Sequence, residues 1–332
     1  MKTSLHRLTI SGTPRDMGLA LGRWGRGAVQ GRLRRSALWR DVTDMRHRAR
    51  VAAMASLTAA RFPEIHAELD GLAEGLDLPF ADVMAWNCRG DLLASVPDGC
   101  TSLLYPGRAP ELAHNEDGLP FLRGHCGIVE ACPDGAAAFV AFCYPGSIPG
   151  HTFAATAAGL LQTVNNMRLT GVQNAGLPRM VLGRAVLSQN SVAAAIDMLQ
   201  AHPAAGGFHF ALTDAQGVQS VEFGAGMVSV RPVGAPAAHA NHALHLDLPQ
   251  RITVSSHDRQ ARAEALLADR PALDILLDRE GPGLPIHRSD ADDTDEENTL
   301  GTAVLKVAGG VVHWEVHDGA GGPVHSGRIA TG

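Results

Sequence analysis

The residue with the clearest chemical potential is Cys100, which follows Gly99 and precedes Thr101 and Ser102. A cysteine after a glycine can attack the preceding carbonyl carbon and form a thioester, which water then opens. Cys100 would afterwards carry a thiol and a free α-amine, and this amine can act as a base for the thiol near neutral pH. Glycine suits the step because it permits unusual backbone angles and close approach. A buried structural cysteine at the start of a strand fits the same residues.

The composition sets limits on the class of protein. The chain has 332 residues, of which 45% are hydrophobic and 19% charged, enough for a large core in one domain or two. Its net charge of -6 does not favour nucleic acid or an anionic membrane surface as a partner. No run of about 18 apolar residues and no signal-peptide core is found, so we expect a cytoplasmic protein without a membrane partner.

The cysteines argue against two further classes. There are five of them, an odd number, and no CxxC pair occurs. This pattern disfavours a disulfide framework and a structural zinc site, and we expect no metal and no cofactor. A glycine-rich phosphate loop is also missing, so the sequence offers no recognisable coenzyme A site.

The elements around Cys100 change character along the chain. Residues 1–95 are predicted to be mainly helical, with apolar residues at helical spacing. After Cys100, short apolar runs bounded by Gly, Pro, Asn and Asp predict an antiparallel sheet. Two helices are predicted within 178–202 and another at 257–270, a closing hairpin at 301–318, and a disordered segment at about 280–298. This order predicts an α+β fold with helices on the faces of the sheets.

Several segments share the order and approximate spacing of a known family. They are "SGTPRDMGLALGRWG" (11–25), "RFPEIHAELDGLAEGLDLPFADVMAWNCRGDL" (61–92), "DGCTSLLY" (98–105), "AHNEDG" (113–118), "TAAGLLQTVNNM" (156–167) and "HANHAL" (239–244). Together they resemble the cysteine N-terminal-nucleophile acyltransferases, the family of fungal isopenicillin N acyltransferase (acyl-CoA:6-aminopenicillanate acyltransferase) and of the Tan-type β-alanyl-amine hydrolases. The resemblance extends from about residue 10 to 320.

The resemblance implies a fold and a division of the chain. The fold would be a four-layer αββα sandwich of the N-terminal-nucleophile hydrolase type, with two stacked, mainly antiparallel sheets flanked by helices. Self-cleavage between Gly99 and Cys100 would turn a zymogen into a helical α chain (1–99) and a sheet-rich β chain (100–332), which form one domain.

The resemblance also implies roles for individual residues. Cys100 would be both the autoprocessing residue and the nucleophile, Asp117 would orient the new amine, and Asn241 would donate its side-chain amide to an oxyanion hole. Asn165 and Asn115 would line the substrate or oxyanion site, although spacing does not choose between Asn165 and its neighbour in "TVNNM".

Two positions depart from the family pattern. Glu116 places an acidic residue near the nucleophile, which would favour an amine-bearing, cationic substrate if it faces the pocket; a surface-facing glutamate is the alternative. The fungal enzyme carries an arginine shortly before its last hairpin, whereas no arginine occurs here from Asp290 to Lys306.

From these features we predict an autoprocessing amidohydrolase that cleaves a linear acyl or aminoacyl amide through a thioester acyl-enzyme. Its partners would be a small-molecule amide and the two fragments of its own chain, and the sequence leaves a homo-oligomer open. One alternative is an acyltransferase that moves an acyl group from a thioester such as acyl-CoA to an amine. The other is a non-catalytic binding relative in which the chain stays uncut and Cys100 is buried.

Overall fold

The computed structural model of the chain describes residues 5–93, 96, 99–171, 175–290, 293, 296–319 and 321–331. Its helices are α1 (Pro14–Gly31), α2 (Ala37–Val42), α3 (Arg48–Arg61), α4 (Pro63–Leu76), α5 (Phe80–Asn87), α6 (Arg89–Leu92), α7 (Arg179–Val186), α8 (Val192–Ala201), α9 (Val254–Leu266) and α10 (Ala272–Leu276). Its strands are β1 (His6–Gly12), β2 (Gly99–Tyr105), β3 (Glu111–Gly118), β4 (Gly127–Pro133), β5 (Phe139–Cys143), β6 (Phe153–Thr156), β7 (Leu161–Met167), β8 (Gly207–Asp214), β9 (Gly217–Gly224), β10 (Met227–Pro232), β11 (Ala237–His239), β12 (Asn298–Ala308), β13 (Val311–His317) and β14 (His325–Ala330).

The strands form two sheets. The first has the order β1-β4-β5-β6-β7-β8-β9-β10, and the second has the order β11-β2-β3-β12-β13-β14. Within the described residues the neighbouring strands run antiparallel, apart from β1, which pairs with β4 in parallel. The mainly antiparallel character predicted from the sequence is confirmed.

The sheets stack face to face, with helices on both outer faces. Strands β2 and β3 contact β7, which joins the two sheets at their centres. Helices α1 and α8 pack on the first sheet, while α9 and α10 pack on the second. Each sheet therefore has one face toward the other sheet and one toward helices, and the predicted four-layer αββα arrangement is confirmed.

Short-range signals explain how the helical layer begins. Thr13 caps α1 by a capping box with Asp16, and Pro14 occupies the first turn. A Cβ atom on Gly18 would lie 1.9 Å from the carbonyl oxygen of Glu68 in α4, so glycine is needed where the two helices touch. These contacts start α1 and let it pack closely against α4.

Two expectations about the chain outside the site need correction. β1 lies in the part predicted to be mainly helical; it was missed because its partner, β4, is more than a hundred residues away. In the segment predicted to be disordered, Ile286, His287 and Arg288 are buried, which contradicts the prediction there. Residues 291, 292, 294 and 295 of that segment lie outside the described residues.

Candidate active site

Cys100 lies at the head of β2, which pairs with β11 and β3 in the second sheet. The register with β3 sets Gly99 opposite Asp117 and Cys100 opposite Glu116. Because successive side chains of a strand point to opposite faces, Cys100 and Glu116 face the first sheet, whereas Asp117 faces the helices. The peptide bond between Gly99 and Cys100 therefore lies between two different environments.

Asn241 contacts Cys100 directly through its side chain. The backbone N–H of Cys100 donates a hydrogen bond to Asn241 Oδ1 at 2.9 Å, and Arg259 Nη2 donates to the same oxygen at 2.5 Å. Asn241 Nδ2 donates to the carbonyl oxygen of Asn166 at 3.1 Å. The oxygen of Asn241, rather than its predicted N–H donor, faces Cys100 here, and the oxyanion role stays a prediction.

The thiol belongs to a buried hydrogen-bonded triad, made of Cys100, His114 and Glu116. Cys100 Sγ donates to Glu116 Oε2 at 3.6 Å, and His114 Nε2 lies 3.1 Å from the same oxygen. Tyr144 donates its hydroxyl to Glu116 Oε1 at 2.7 Å. Glu116 is only 2% exposed, so the surface-facing alternative is wrong.

The hydrogen bonds of Ser102 indicate which ring nitrogen of His114 carries the proton. Ser102 donates to Asn165 Oδ1 at 2.7 Å, so its oxygen accepts from His114 Nδ1 at 2.9 Å. Burial, together with the charge of Arg259, lowers the pKa of His114 to about 3. The neutral ring has one N–H, which these contacts place on Nδ1, so Nε2 faces Glu116 Oε2 with its lone pair.

The same triad has the spacing of metal ligands. Cys100 Sγ, His114 Nε2 and Glu116 Oε2 all lie within 4.8 Å of one another, so one ion could contact all three. The hydrogen bonds among these atoms already account for their closeness, and we treat them as a hydrogen-bonded triad.

The opposite face of the sheet carries charged groups around Gly99. Glu297 accepts hydrogen bonds from Arg168 Nη2 and Arg288 Nη1, both at 2.9 Å. Burial raises the pKa of Glu297 to about 7, although the neighbouring arginines act in the other direction. Asp117 accepts from Thr299 Oγ1 at 2.6 Å through Oδ1, and its buried Oδ2 has no hydrogen-bond partner in the described part of the chain.

Gly99 is required by this crowding. A Cβ atom at residue 99 would lie 2.3 Å from Glu297 Oε2 and 3.2 Å from Asp117 Cβ. Both distances are shorter than ordinary contacts, so any larger residue would displace these side chains. The groups that closely approach Gly99 are therefore the side chains of Glu297 and Asp117.

The other two predicted binding residues are fully engaged elsewhere. Asn115 donates to the carbonyl oxygens of Leu276 and Ile286 and accepts from Thr302 Oγ1, so it faces the helices and joins α10 to the sheet. Asn165 accepts from Ser102 and donates to the carbonyl oxygen of His239. Both residues position the strands around the thiol in this structure, and their binding roles are untested.

The segment on both sides of Asn241 is fixed by a buried carboxylate. Glu222 accepts from His239 Nε2 at 2.8 Å and from the backbone N–H groups of Leu244, His245 and Leu246. Burial would raise the pKa of Glu222, but the hydrogen bonds and the charge of His239 lower it to about 2. The carboxylate thus holds the loop that places Asn241 at Cys100.

Sequence reasoning missed three arginines, Arg168, Arg259 and Arg288. Arg259 donates to the carbonyl oxygen of Cys100 and, at 2.9 Å, to Thr101 Oγ1, and burial lowers its pKa. Arg288 lies two residues before Asp290, where the stretch without arginine (290–306) begins. No local pattern marks these residues, because they converge only in the folded chain.

A family model and one curated protein match this sequence. A family model described as acyl-coenzyme A:6-aminopenicillanic acid acyl-transferase matches residues 106–320. The beta-alanyl-dopamine/carcinine hydrolase of Drosophila melanogaster is 24% identical over 159 residues, which make up 42% of this chain. The match spans 41% of that relative's own length.

Solved structures also match. A mutant and a variant of the conjugated bile acid hydrolase from Clostridium perfringens give TM-scores of 0.42 and 0.41 at 12% identity. Each comparison covers 70% of this chain and 92% of the other. Among the described residues, no helix is long and apolar enough to cross a membrane.

Proposed function

This chain belongs to the acyl-coenzyme A:6-aminopenicillanic acid acyl-transferase family, and we propose that it is an autoprocessing amidohydrolase with Cys100 as its nucleophile. The chain would be cut between Gly99 and Cys100, and the new N-terminal cysteine would then cleave a linear amide through a thioester.

One observation carries this proposal: the backbone nitrogen and the sulfur of Cys100 each have a dedicated, buried partner. The nitrogen donates to Asn241 and the sulfur to Glu116, although these residues lie 141 and 16 positions away. A structural cysteine needs no carboxyl group at its sulfur, and a backbone carbonyl would serve its buried N–H as well as a side chain does. A nucleophile that also supplies its own amine needs both groups to be held in place.

The cutting step transfers an acyl group from nitrogen to sulfur. Sγ attacks the carbonyl carbon of Gly99, the bond from that carbon to the nitrogen of Cys100 breaks, and the thiol proton ends on this nitrogen. Water then hydrolyses the thioester, which restores the thiol and leaves a carboxylate on Gly99. Asn241 keeps the departing nitrogen oriented during the transfer, since it already accepts its hydrogen bond.

Turnover would repeat this chemistry on a substrate amide. The α-amine of Cys100 takes the thiol proton, Sγ attacks the amide carbonyl, and the amine returns the proton to the leaving nitrogen. Water then hydrolyses the acyl-enzyme. Asp117 Oδ2, which is buried and unpartnered in the described residues, is suited to accept a hydrogen bond from the new ammonium group.

Acyl transfer to an amine is the second candidate, and the description of the family model favours it. The name of the Drosophila relative favours hydrolysis. Both reactions share the thioester and differ only in the nucleophile that opens it. Product analysis with and without a small amine acceptor distinguishes them: a hydrolase releases free acid in both cases.

Glu116 is the residue from which we infer the substrate class. Its carboxyl group lies beside Sγ, so a substrate ammonium at this position would favour β-alanyl or similar aminoacyl amides. Glu116→Gln should therefore lower kcat/KM more for a β-alanyl amide than for a neutral acyl amide. Equal losses on the two substrates would remove this assignment.

The decisive experiment is the intact mass of the purified chain under denaturing conditions. We expect two fragments that meet at Gly99/Cys100, and a single uncut chain for Cys100→Ala. An uncut wild-type chain that still hydrolyses amides would contradict the mechanism.

A further inference from the structure

We propose that Arg168 is a carboxylate-binding residue beside the cleavage site, an inference that rests on the proposed function. It assigns a partner to a charged group that neither the cutting step nor the turnover described above uses.

The inference starts from unpaired hydrogen-bond donors. Arg168 is 4% exposed, and its Nη2 donates to Glu297 Oε1 at 2.9 Å and to the carbonyl oxygen of Val96 at 3.4 Å. Its Nε and Nη1 groups are buried and have no hydrogen-bond partner in the described part of the chain. A buried guanidinium with spare N–H groups is costly, which points to a ligand that completes its hydrogen bonds.

The position of Arg168 indicates which ligand it is. Glu297 bridges Arg168 to Gly99, because its Oε1 accepts from Arg168 and its Oε2 packs against the Gly99 backbone. Arg168 also touches Val96, three residues before Gly99. A carboxylate that forms or binds beside Gly99 lies next to Glu297, the partner of Arg168, and it can accept a hydrogen bond from one spare N–H of the guanidinium.

The groups around Gly99 are complementary to the products of a cut. The described residues contain an unpaired acceptor, Asp117 Oδ2, and unpaired donors on Arg168. Cleavage creates one ammonium group on Cys100 and one carboxylate on Gly99. Asp117 is suited to the first charge, and Arg168 to the second.

Two sources can supply the carboxylate. The first is the new C-terminus at Gly99. The second is a carboxylate on the leaving amine of a substrate, which would occupy the same place once the Gly99 segment has moved away. The chemistry is the same, and two arms of one experiment separate the sources.

The first arm measures self-cleavage by intact mass at successive times after refolding, in wild type and Arg168→Gln. If Arg168 stabilises the negative charge that develops on Gly99 as water hydrolyses the thioester, the variant should accumulate hydrolysed fragments about 10- to 100-fold more slowly. Arg34→Gln is the matched control, since it removes the same charge from an exposed helical position. Arg168→Lys should recover part of the rate.

The second arm measures kcat/KM per cut chain for β-alanylglycine and β-alanylglycinamide, which differ only by carboxylate against carboxamide. If the substrate supplies the carboxylate, Arg168→Gln should reduce the preference for the acid about 10- to 100-fold. Thermal unfolding of each variant checks that it is folded.

A variant that cuts at the wild-type rate and keeps the wild-type ratio of the two substrates overturns the inference. So does an equal loss on both substrates with normal cutting, which indicates a structural role. A wild-type chain that neither cuts nor hydrolyses amides refutes the proposed function instead, and this separates the two failures.

Discussion

The substitution Gly99→Ala tests the crowded side of the proposed cleavage site most directly. The added methyl group would lie 2.3 Å from Glu297 Oε2, roughly 1 Å short of ordinary contact. Glu297 cannot yield freely, because Arg168 and Arg288 hold its two oxygens at 2.9 Å. The alanine therefore forces either the carboxylate or the backbone of β2 to move.

The expected cost follows from those two contacts. A displacement of about 1 Å would stretch both beyond hydrogen-bonding range, and hydrogen bonds to charged groups contribute about 1.5–3 kcal/mol each. Since the arginines can follow in part, we expect a loss of about 3 kcal/mol in the free energy of unfolding of the uncut chain. The scissile carbonyl moves as well, so self-cleavage should slow by at least about tenfold.

The assay is urea unfolding of Gly99→Ala in a Cys100→Ala background, which keeps the chain uncut, with cleavage rates measured separately on the Cys100 chain. Gly27→Ala is the control, because a Cβ atom at this glycine in α1 meets nothing within 4 Å. Glu297→Asp should rescue Gly99→Ala, because the aspartate side chain is shorter than that of glutamate by one methylene group. If Gly99→Ala unfolds and cuts like wild type, or if the shorter side chain gives no rescue, the contact with Glu297 does not explain the glycine.

Three further predictions concern the groups around Cys100. Asn241→Ala removes the acceptor of the Cys100 N–H and should slow hydrolysis per cut chain about 100-fold in single-turnover assays; an unchanged rate would contradict the positioning role. The pKa of Glu222 is lowered from 4.5 to about 2, so its stabilisation is present above pH 4.5 and lost as the pH falls through 2. Glu222→Gln should therefore cost about 3 kcal/mol in urea unfolding at pH 7 but little near pH 2, and an equal cost at both would refute the assignment. The pKa of Glu297 is raised from 4.5 to about 7, so its effect on stability has the opposite sign to that of Glu222. The stabilisation is present below pH 4.5, and the free energy of unfolding of the Cys100→Ala chain should fall by about 3 kcal/mol as the pH rises through 7. Glu297→Gln should flatten this slope between pH 5 and 8, and an unchanged slope would assign it to other groups.

The parts of the site that the sequence predicts are those joined by short-range pairing. The strand that begins at the cysteine, and the next strand with "HNED", are separated by one short turn, and their apolar runs are plain in the sequence. The α+β class, with helices on the faces of the sheets, follows from the order of such runs, whereas the four-layer αββα arrangement was implied by the family resemblance. Asn241 was found through the family resemblance, because its hydrogen bond to Cys100 spans 141 positions.

The faces of the sheet were not predictable. Asn115 and Glu116 were both assigned to substrate binding, yet adjacent residues of a strand face opposite sides. The pairing of Cys100 with Glu116 sends Asn115 toward α10. A shift of one residue would have exchanged the two, and because β2 and β3 are buried on both faces, no apolar–polar alternation marks the register.

This alternation gives a physical reason for the proposed cut before Cys100. The sulfur and Glu116 lie on the face toward the first sheet, whereas Asp117 and Glu297 lie on the face toward the helices. In the uncut chain the nitrogen of Cys100 is an amide within β2, and an amide has no basic lone pair to offer the thiol. Once the bond to Gly99 is broken, the same nitrogen becomes a basic amine at the end of a strand, free to rotate about its bond to Cα. Only a terminal residue can use both faces of the sheet in this way, with its thiol on one side and a carboxylate partner for its amine on the other. Under the proposed function, the cut therefore does more than uncover the thiol: it supplies the base and allows that base to reach Asp117.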